Sequence, residues 1–328
     1  VSDFDPFDDV DETQGDGFTA LVAEFGEIGA RLRAPRESLD LVGLAGALRR
    51  ASVVLRLAGW ARLAGDFGLP GRLRGTLGNV LVEAASPEAR DGRPCRWDPP
   101  CAFEALFRKP GRMTPGTDFP SPWVIGVDRR RGDLEVRMTL YGMAVDWLPA
   151  AAEALAASIG RVDWAGPSGI FLGEPRPIAR RIEAEPAIAV DLETVPRLLV
   201  IETLSPLVSS GEGALHDPAA VFTTLGRRLE GLARWQEASL DVDLGALAAD
   251  CRAADWTWAE AEEVVWRRGS RRQGGREVPM GGVLGRLEIA AEPERLARLA
   301  PLLMLGEATR AGADVAFGCG RYRLAVVG

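Results

Sequence analysis

The chain has 328 residues, 47% of them hydrophobic, enough for one large domain or two of ordinary size. No apolar run approaches the ~18 residues of a membrane span and no basic-then-apolar leader opens the chain, so a soluble, cytoplasmic protein without a membrane partner is expected. The net charge of −8 argues against nucleic acid only until it is mapped: residues 1–48 hold eleven carboxylates against three arginines, whereas residues 264–328 hold eleven arginines against six carboxylates.

Residues 1–17 are acidic and turn-rich, without a helical or strand period, and read as a solvated tail. Phe18 to Leu32 and Leu39 to Arg50 carry apolar residues at helical spacing, giving two added helices within residues 1–48. Ser52 to Ala58 then reads as a strand, and Arg72 to Ala85 as a helix with Leu73, Leu77, Val80, Leu81 and Ala84 on one side. Cys95 and Cys101 lie in the connection that follows. They would ligate a metal only with two further ligands from elsewhere, and the chain has a single histidine, so no metal and no cofactor is expected. Strands at Trp123–Val127 and Asp133–Tyr141, a helix from Trp147 to Ile159 and a strand beginning at Gly169–Leu172 complete a first unit.

The second half repeats that order. Arg197 to Leu207 reads as a strand, and Asp217-Pro218 as an N-cap with proline at the first helical position, opening a helix that runs toward Trp235. Strands at Glu263–Trp266 and Val278–Ile289, a helix at Glu294–Leu303, a glycine-rich loop and a last strand from Tyr322 to Val327 close the chain. Strand, helix, strand, strand, helix, strand is the split βαβ order. The expected fold is therefore α+β, with two tandem ferredoxin-like (βαββαβ, RRM-like) domains over residues 49–190 and 191–328.

Two stretches carry chemistry. Arg267 to Arg276 is the most basic window, with Arg267, Arg268, Arg271, Arg272 and Arg276 and no carboxylate, a candidate track for a phosphate backbone. The loop after Leu305 holds Gly306, Gly312, Gly318 and Gly320 beside Arg310, Arg321 and Arg323; glycines at that density let main-chain N–H groups face an anion. Its order, Gly306-Glu307 through Gly312 to Phe317-Gly318-Cys319-Gly320-Arg321-Tyr322, resembles the glycine-rich loop of the RAMP superfamily, in detail the CRISPR-associated endoribonucleases that cut precursor crRNA within its repeats. Gly71-Arg72-Leu73-Arg74-Gly75-Thr76-Leu77-Gly78, Thr203 to Pro206, Arg227 to Leu229, and Trp266 to Gln273 followed by Met280 to Gly285 are similar to further segments of that family, so the resemblance runs from about Ser52 to Leu324.

The resemblance implies a crRNA repeat, a stem-loop, as partner, with other CRISPR effector subunits as further partners. It implies metal-independent cleavage, which needs a base for the 2′-hydroxyl, an acid for the departing 5′-oxygen and a cation for the charge between them. His216 is the one histidine, and with Arg310 and Tyr322 it forms the candidate catalytic set; Gly312, Gly318, Gly320 and Arg321 join the five arginines as candidate RNA contacts. The family's loop commonly carries histidine where this chain has Arg310, and lysine where it has Ala313. The alternative is a catalytically inactive crRNA-binding subunit of an effector complex.

Overall fold

The computed structural model describes residues 12–164, 173, 175–190, 195–209, 217–270 and 276–328. The chain opens with α1 (Glu12–Arg33), β1 (Glu37–Leu39) and α2 (Leu41–Ala47). A first sheet and its helices follow: β2 (Arg50–Leu57), α3 (Leu69–Glu83), α4 (Pro87–Arg90), α5 (Ala102–Leu106), β3 (Arg112–Thr114), β4 (Thr117–Asp118), β5 (Trp123–Arg130), β6 (Asp133–Tyr141), α6 (Leu148–Ile159) and β7 (Pro177–Ala184). The second half comprises β8 (Leu198–Thr203), α7 (Pro218–Trp235), β9 (Ala238–Leu240), α8 (Leu244–Ala253), β10 (Asp255–Ser270), β11 (Arg276–Ala290), α9 (Pro293–Thr309) and β12 (Tyr322–Val327).

The two four-stranded sheets run in the orders β5-β6-β2-β7 and β10-β11-β8-β12. Counted along the chain, each sheet places its strands second, third, first, fourth, and each pairing is antiparallel. Val53, Leu55 and Leu57 share one face of β2, against α6, while Ser52 and Val54 on the other face are buried as well. One continuous apolar cluster runs through both halves, from Leu55, Trp123 and Leu155 to Leu199, Phe222 and Leu303.

Several element boundaries differ from expectation. β10 is much longer than the expected 263–266, whereas β11 exceeds the expected 278–289 by only three residues; the two pair along their whole length, and only residues 286–289 of β11 pair with β8. The remainder is a two-stranded ribbon standing beyond the sheet, exposed along most of β10 but with Met280 and Val283 of β11 buried. The helix expected to stop at Leu303 continues to Thr309 through Pro301, so Gly306 and Glu307 belong to α9 rather than to the loop. A Cβ at Gly306 would lie 2.3 Å from the Tyr322 hydroxyl, so that glycine serves helix-on-strand packing. The second added helix spans only Leu41–Ala47, and Glu37–Leu39 is a strand. The strand expected to begin at Gly169–Leu172 falls outside the described residues; the described strand is β7. Asp217 caps α7 as expected, its carboxylate accepting from Ala220 N–H.

Candidate nucleic-acid interface

The loop from Arg310 to Arg321 leaves α9 and runs along the seam between the halves before entering β12. Three of its glycines have positive φ: Gly312 (+84°), Gly318 (+97°) and Gly320 (+76°). A Cβ at Gly320 would lie 1.8 Å from the Ala311 carbonyl oxygen and one at Gly318 2.5 Å from Pro70 Cβ, so both conformation and space demand glycine. Ala311 N–H donates to Gly320 O, Ala313 N–H to Val208 O, Gly320 N–H to Pro206 O and Arg321 N–H to the Ser205 hydroxyl. These amides are engaged within the protein rather than aimed at an anion, so close backbone packing accounts for the glycine density.

Two of the three candidate catalytic residues, Arg310 and Tyr322, fall within the described residues, and both are buried. His216 lies outside the described residues. Arg310 is 6% exposed; its Nη1 donates to the Ile125 carbonyl at 2.7 Å, and its guanidinium lies so close to Gly126 that a Cβ there would be 2.6 Å from Nη2. Burial, partly opposed by the Tyr141 phenol, lowers the Arg310 guanidinium to about 10. Tyr322 is 1% exposed, donates to Leu303 O at 2.6 Å, and is pushed well above the ordinary tyrosine range by burial and by Glu307. Around them, Arg228 donates twice to Thr309 O and Tyr141 donates to Ala308 O, capping the last carbonyls of α9 with a cation where the helix dipole favours one.

A different set of cations, part-buried, lies along the seam. Arg321 reaches across the seam to Asp128 of β5, Nη1 to Oδ1 at 2.6 Å. Arg268, on the ribbon, places its guanidinium carbon 4.2 Å from the centre of the Phe317 ring, with Asp314 at 4.0 Å. Arg74, on α3, approaches the same ring at 4.9 Å while lying 5.1 Å from Phe107 and 5.3 Å from Trp123. Among the described residues neither the Arg74 nor the Arg268 Nε has a hydrogen-bond partner. Burial and the neighbouring Arg268 charge both lower the Arg74 guanidinium. Two cations thus converge on one aromatic ring, each with a buried Nε that has no hydrogen-bond partner among the described residues.

Sequence reading nominated Arg268 but passed over Arg74 and Phe317. Arg74 adjoins Leu73 on a helix whose apolar stripe accounts for the pattern, and only the quoted motif around it carried a signal. Arg267 is exposed and pairs with Glu277 at 3.2 Å; Arg271 and Arg272 lie outside the described residues, and Arg276 opens β11 opposite Ser270. Trp266 lies 6.0 Å from Phe67, tying the ribbon to the approach to α3. A cleft beside Phe67, lined also by Pro70, Gly126, Cys319 and Arg321, has about 30 Å³ of free volume, too little for a base. Across the first sheet, Glu135, Arg137, Arg181, Glu183 and Glu185 form an ion-pair ladder whose carboxylates make that face unsuited to phosphate.

Residues 201–322 match the family model of the CRISPR-associated endoribonuclease Cas6, and residues 70–165 match a second model described as an N-terminal domain. Among solved structures, a Cas6 product complex is similar over 84% of this chain and 99% of its own, with 22% identity and a TM-score of 0.49. Thermus thermophilus Cas6 is similar over 85% of this chain and 99% of its own, with 15% identity and a TM-score of 0.48. A RAMP protein binding different RNA substrates covers the same shares with 14% identity and a TM-score of 0.37. No curated protein matches the chain. The chain thus resembles the CRISPR-associated RAMP endoribonucleases that process precursor crRNA.

Proposed function

We propose that this protein binds CRISPR repeat RNA along the seam between its halves and processes precursor crRNA there. The carrying observation is the pair of guanidinium groups, Arg74 and Arg268, on the Phe317 ring with their Nε donors unmet. A single-stranded flank of a repeat stem-loop lying over the seam would place its phosphates in the field of both cations. Arg267 lies on the ribbon and Arg321 borders the seam, and Arg271, Arg272 and Arg276 add positive charge within the same sequence window. The match of residues 201–322 to the Cas6 family supports the RNA and the reaction class. The strand order shared by the two sheets supports a build of two tandem ferredoxin-like domains, 49–190 and 191–328.

Cleavage without metal would use the 2′-hydroxyl as nucleophile and two proton-transfer groups. His216 is the one residue of the candidate set whose ordinary pKa suits that work near neutrality. In this reading Arg310 and Tyr322 act as positioning residues, fixing the loop against β5 and α9. Their burial also favours the second reading, an RNA-holding effector subunit that does not cut.

The test is incubation of the full chain with a labelled CRISPR-repeat stem-loop in chelator, read by gel shift and on a denaturing gel, with Arg268→Ala and His216→Ala alongside. Cut RNA, lost in His216→Ala with binding retained, supports processing. Tight, salt-sensitive binding of intact RNA gives the second reading, and absence of salt-sensitive binding overturns both.

A further inference from the structure

Away from the seam, a small satellite core holds Ala85, Ala89, Cys95 and Cys101, with Phe103 packed on it. The two cysteines are unpaired, and each is 7% exposed. They close a turn: the N–H of Cys101, which caps α5, donates to Cys95 Sγ at 3.4 Å. Between them Arg96, Trp97, Asp98 and Pro99 are exposed, Trp97 by half, so the pair lies directly beneath a thin, solvated roof. Among the described residues no third or fourth side chain joins them to make a metal site.

We propose that Cys95 and Cys101 form a reversible thiol–disulfide site, with Cys95 as the attacking sulfur, Cys101 as the resolving one, and a low-molecular-weight disulfide as the oxidant. The Cys95 thiolate attacks one sulfur of the small disulfide, forming a mixed disulfide and expelling one thiolate. The Cys101 sulfur then attacks Cys95 Sγ, releases its proton to the solvent and expels the second thiolate. The protein loses two electrons, one small disulfide becomes two thiols, and a small thiol in excess reverses the sequence.

The division of labour follows from the surroundings. Burial opposes ionisation of Cys95, but the Ser86 hydroxyl, the N–H groups of Cys101 and Trp97 and the Cys101 thiol outweigh it and hold the Cys95 thiol below the ordinary range. Cys101 is pushed up, by burial and then by the Cys95 charge. Cys251 and Cys319, each pushed up to about 12 chiefly by burial, are internal controls within the same chain. The cross-link would close residues 95–101 and tighten the N-terminus of α5, beside the Pro100 carbonyl that accepts from Trp147 Nε1 at 2.7 Å.

The experiment treats the full, folded chain with oxidised glutathione, alkylates the remaining thiols under denaturing conditions and maps the products by peptide mass. The wild type is expected to gain a Cys95–Cys101 cross-link with Cys251 and Cys319 alkylated, and Cys101→Ser to retain one glutathione on Cys95. Cys95→Ser is expected to react at least about tenfold more slowly than Cys101→Ser. Trp97 emission should change on oxidation and return with dithiothreitol. A folded wild type that forms no such cross-link overturns the proposal. So does equal reaction of all four cysteines, or a Cys101→Ser variant that takes up no glutathione.

Discussion

Arg74 holds its charge where water reaches it poorly and where the nearest other charge, that of Arg268, repels it. Its guanidinium is in contact with three aromatic rings, so its packing and its charge can be separated by substitution. Arg74→Met keeps an apolar chain on Phe107, Trp123 and Phe317 and removes the desolvated cation. Stability in urea should be unchanged or higher, while repeat RNA should bind about tenfold more weakly, with a salt slope shallower by about one unit. A parallel loss of stability and affinity would show that Arg74 only supports the fold. Tyr322 makes the opposite case. Its hydroxyl is buried on the Leu303 carbonyl, so Tyr322→Phe should lower stability by about 1 kcal/mol and leave RNA affinity unchanged. A lost RNA shift with stability intact would instead place Tyr322 in the RNA site.

At the scale of elements, the N-terminal α1–β1 segment acts as a strap on the second half. β1 pairs in parallel with β9, from Glu37 opposite Ala238 to Leu39 opposite Leu240. Arg31 forks onto Glu237 at 3.0 and 2.8 Å, and Arg36 adds its charge to the same carboxylate at 3.4 Å. The Arg31 hydrogen bonds, set against partial burial, hold the Glu237 carboxyl below the usual carboxylate range. A carboxyl depressed in the folded state contributes stability above its unfolded pKa, about 4.3, and loses it as pH falls through the lower folded value. The melting midpoints of wild type and Glu237→Gln should therefore differ most near pH 6 to 7 and draw together as pH falls from about 4.3 through the lower folded value; a gap independent of pH would overturn this. This strap was not legible in the sequence, because a three-residue strand that pairs some two hundred residues away has no local period. The Asp217-Pro218 start of α7 was legible, since cap and first-turn proline are local chemistry. Of β10 only Glu263–Trp266 was legible as a strand; Asp255–Glu262 was not, because it forms the edge of its sheet and is exposed apart from the half-buried Trp256 and Trp258. The end of α9 was misread because Gly306 signals a break, whereas its neighbour Tyr322 requires the missing side chain.

At the scale of the whole molecule, the two halves are bound by contacts that each would leave unsatisfied alone. Tyr141 of β6 donates to Ala308 O of α9, Arg310 donates to Ile125 O of β5, and Trp235 Nε1 at the end of α7 donates to Pro120 O. Gly142, with φ +57°, follows β6 where a Cβ would lie 2.1 Å from the Trp235 carbonyl oxygen, so the backbones of the two halves touch with no room for a side chain. With the apolar core continuous through this contact, neither half has a surface along which to unfold first. Urea unfolding should therefore be a single transition, with tryptophan emission, far-ultraviolet dichroism and hydrogen exchange in peptides from β2 and from β8 all sharing one midpoint. Gly142→Ala should move all of these together, by about 2 kcal/mol or more, because both the backbone conformation and the space exclude a methyl group. It should also weaken RNA binding, since Arg74 belongs to one half and Arg268 and Phe317 to the other. If β2 peptides instead exchanged at a midpoint distinct from that of β8 peptides, the halves would be separable units, and the RNA seam between them would have to be assembled by the ligand.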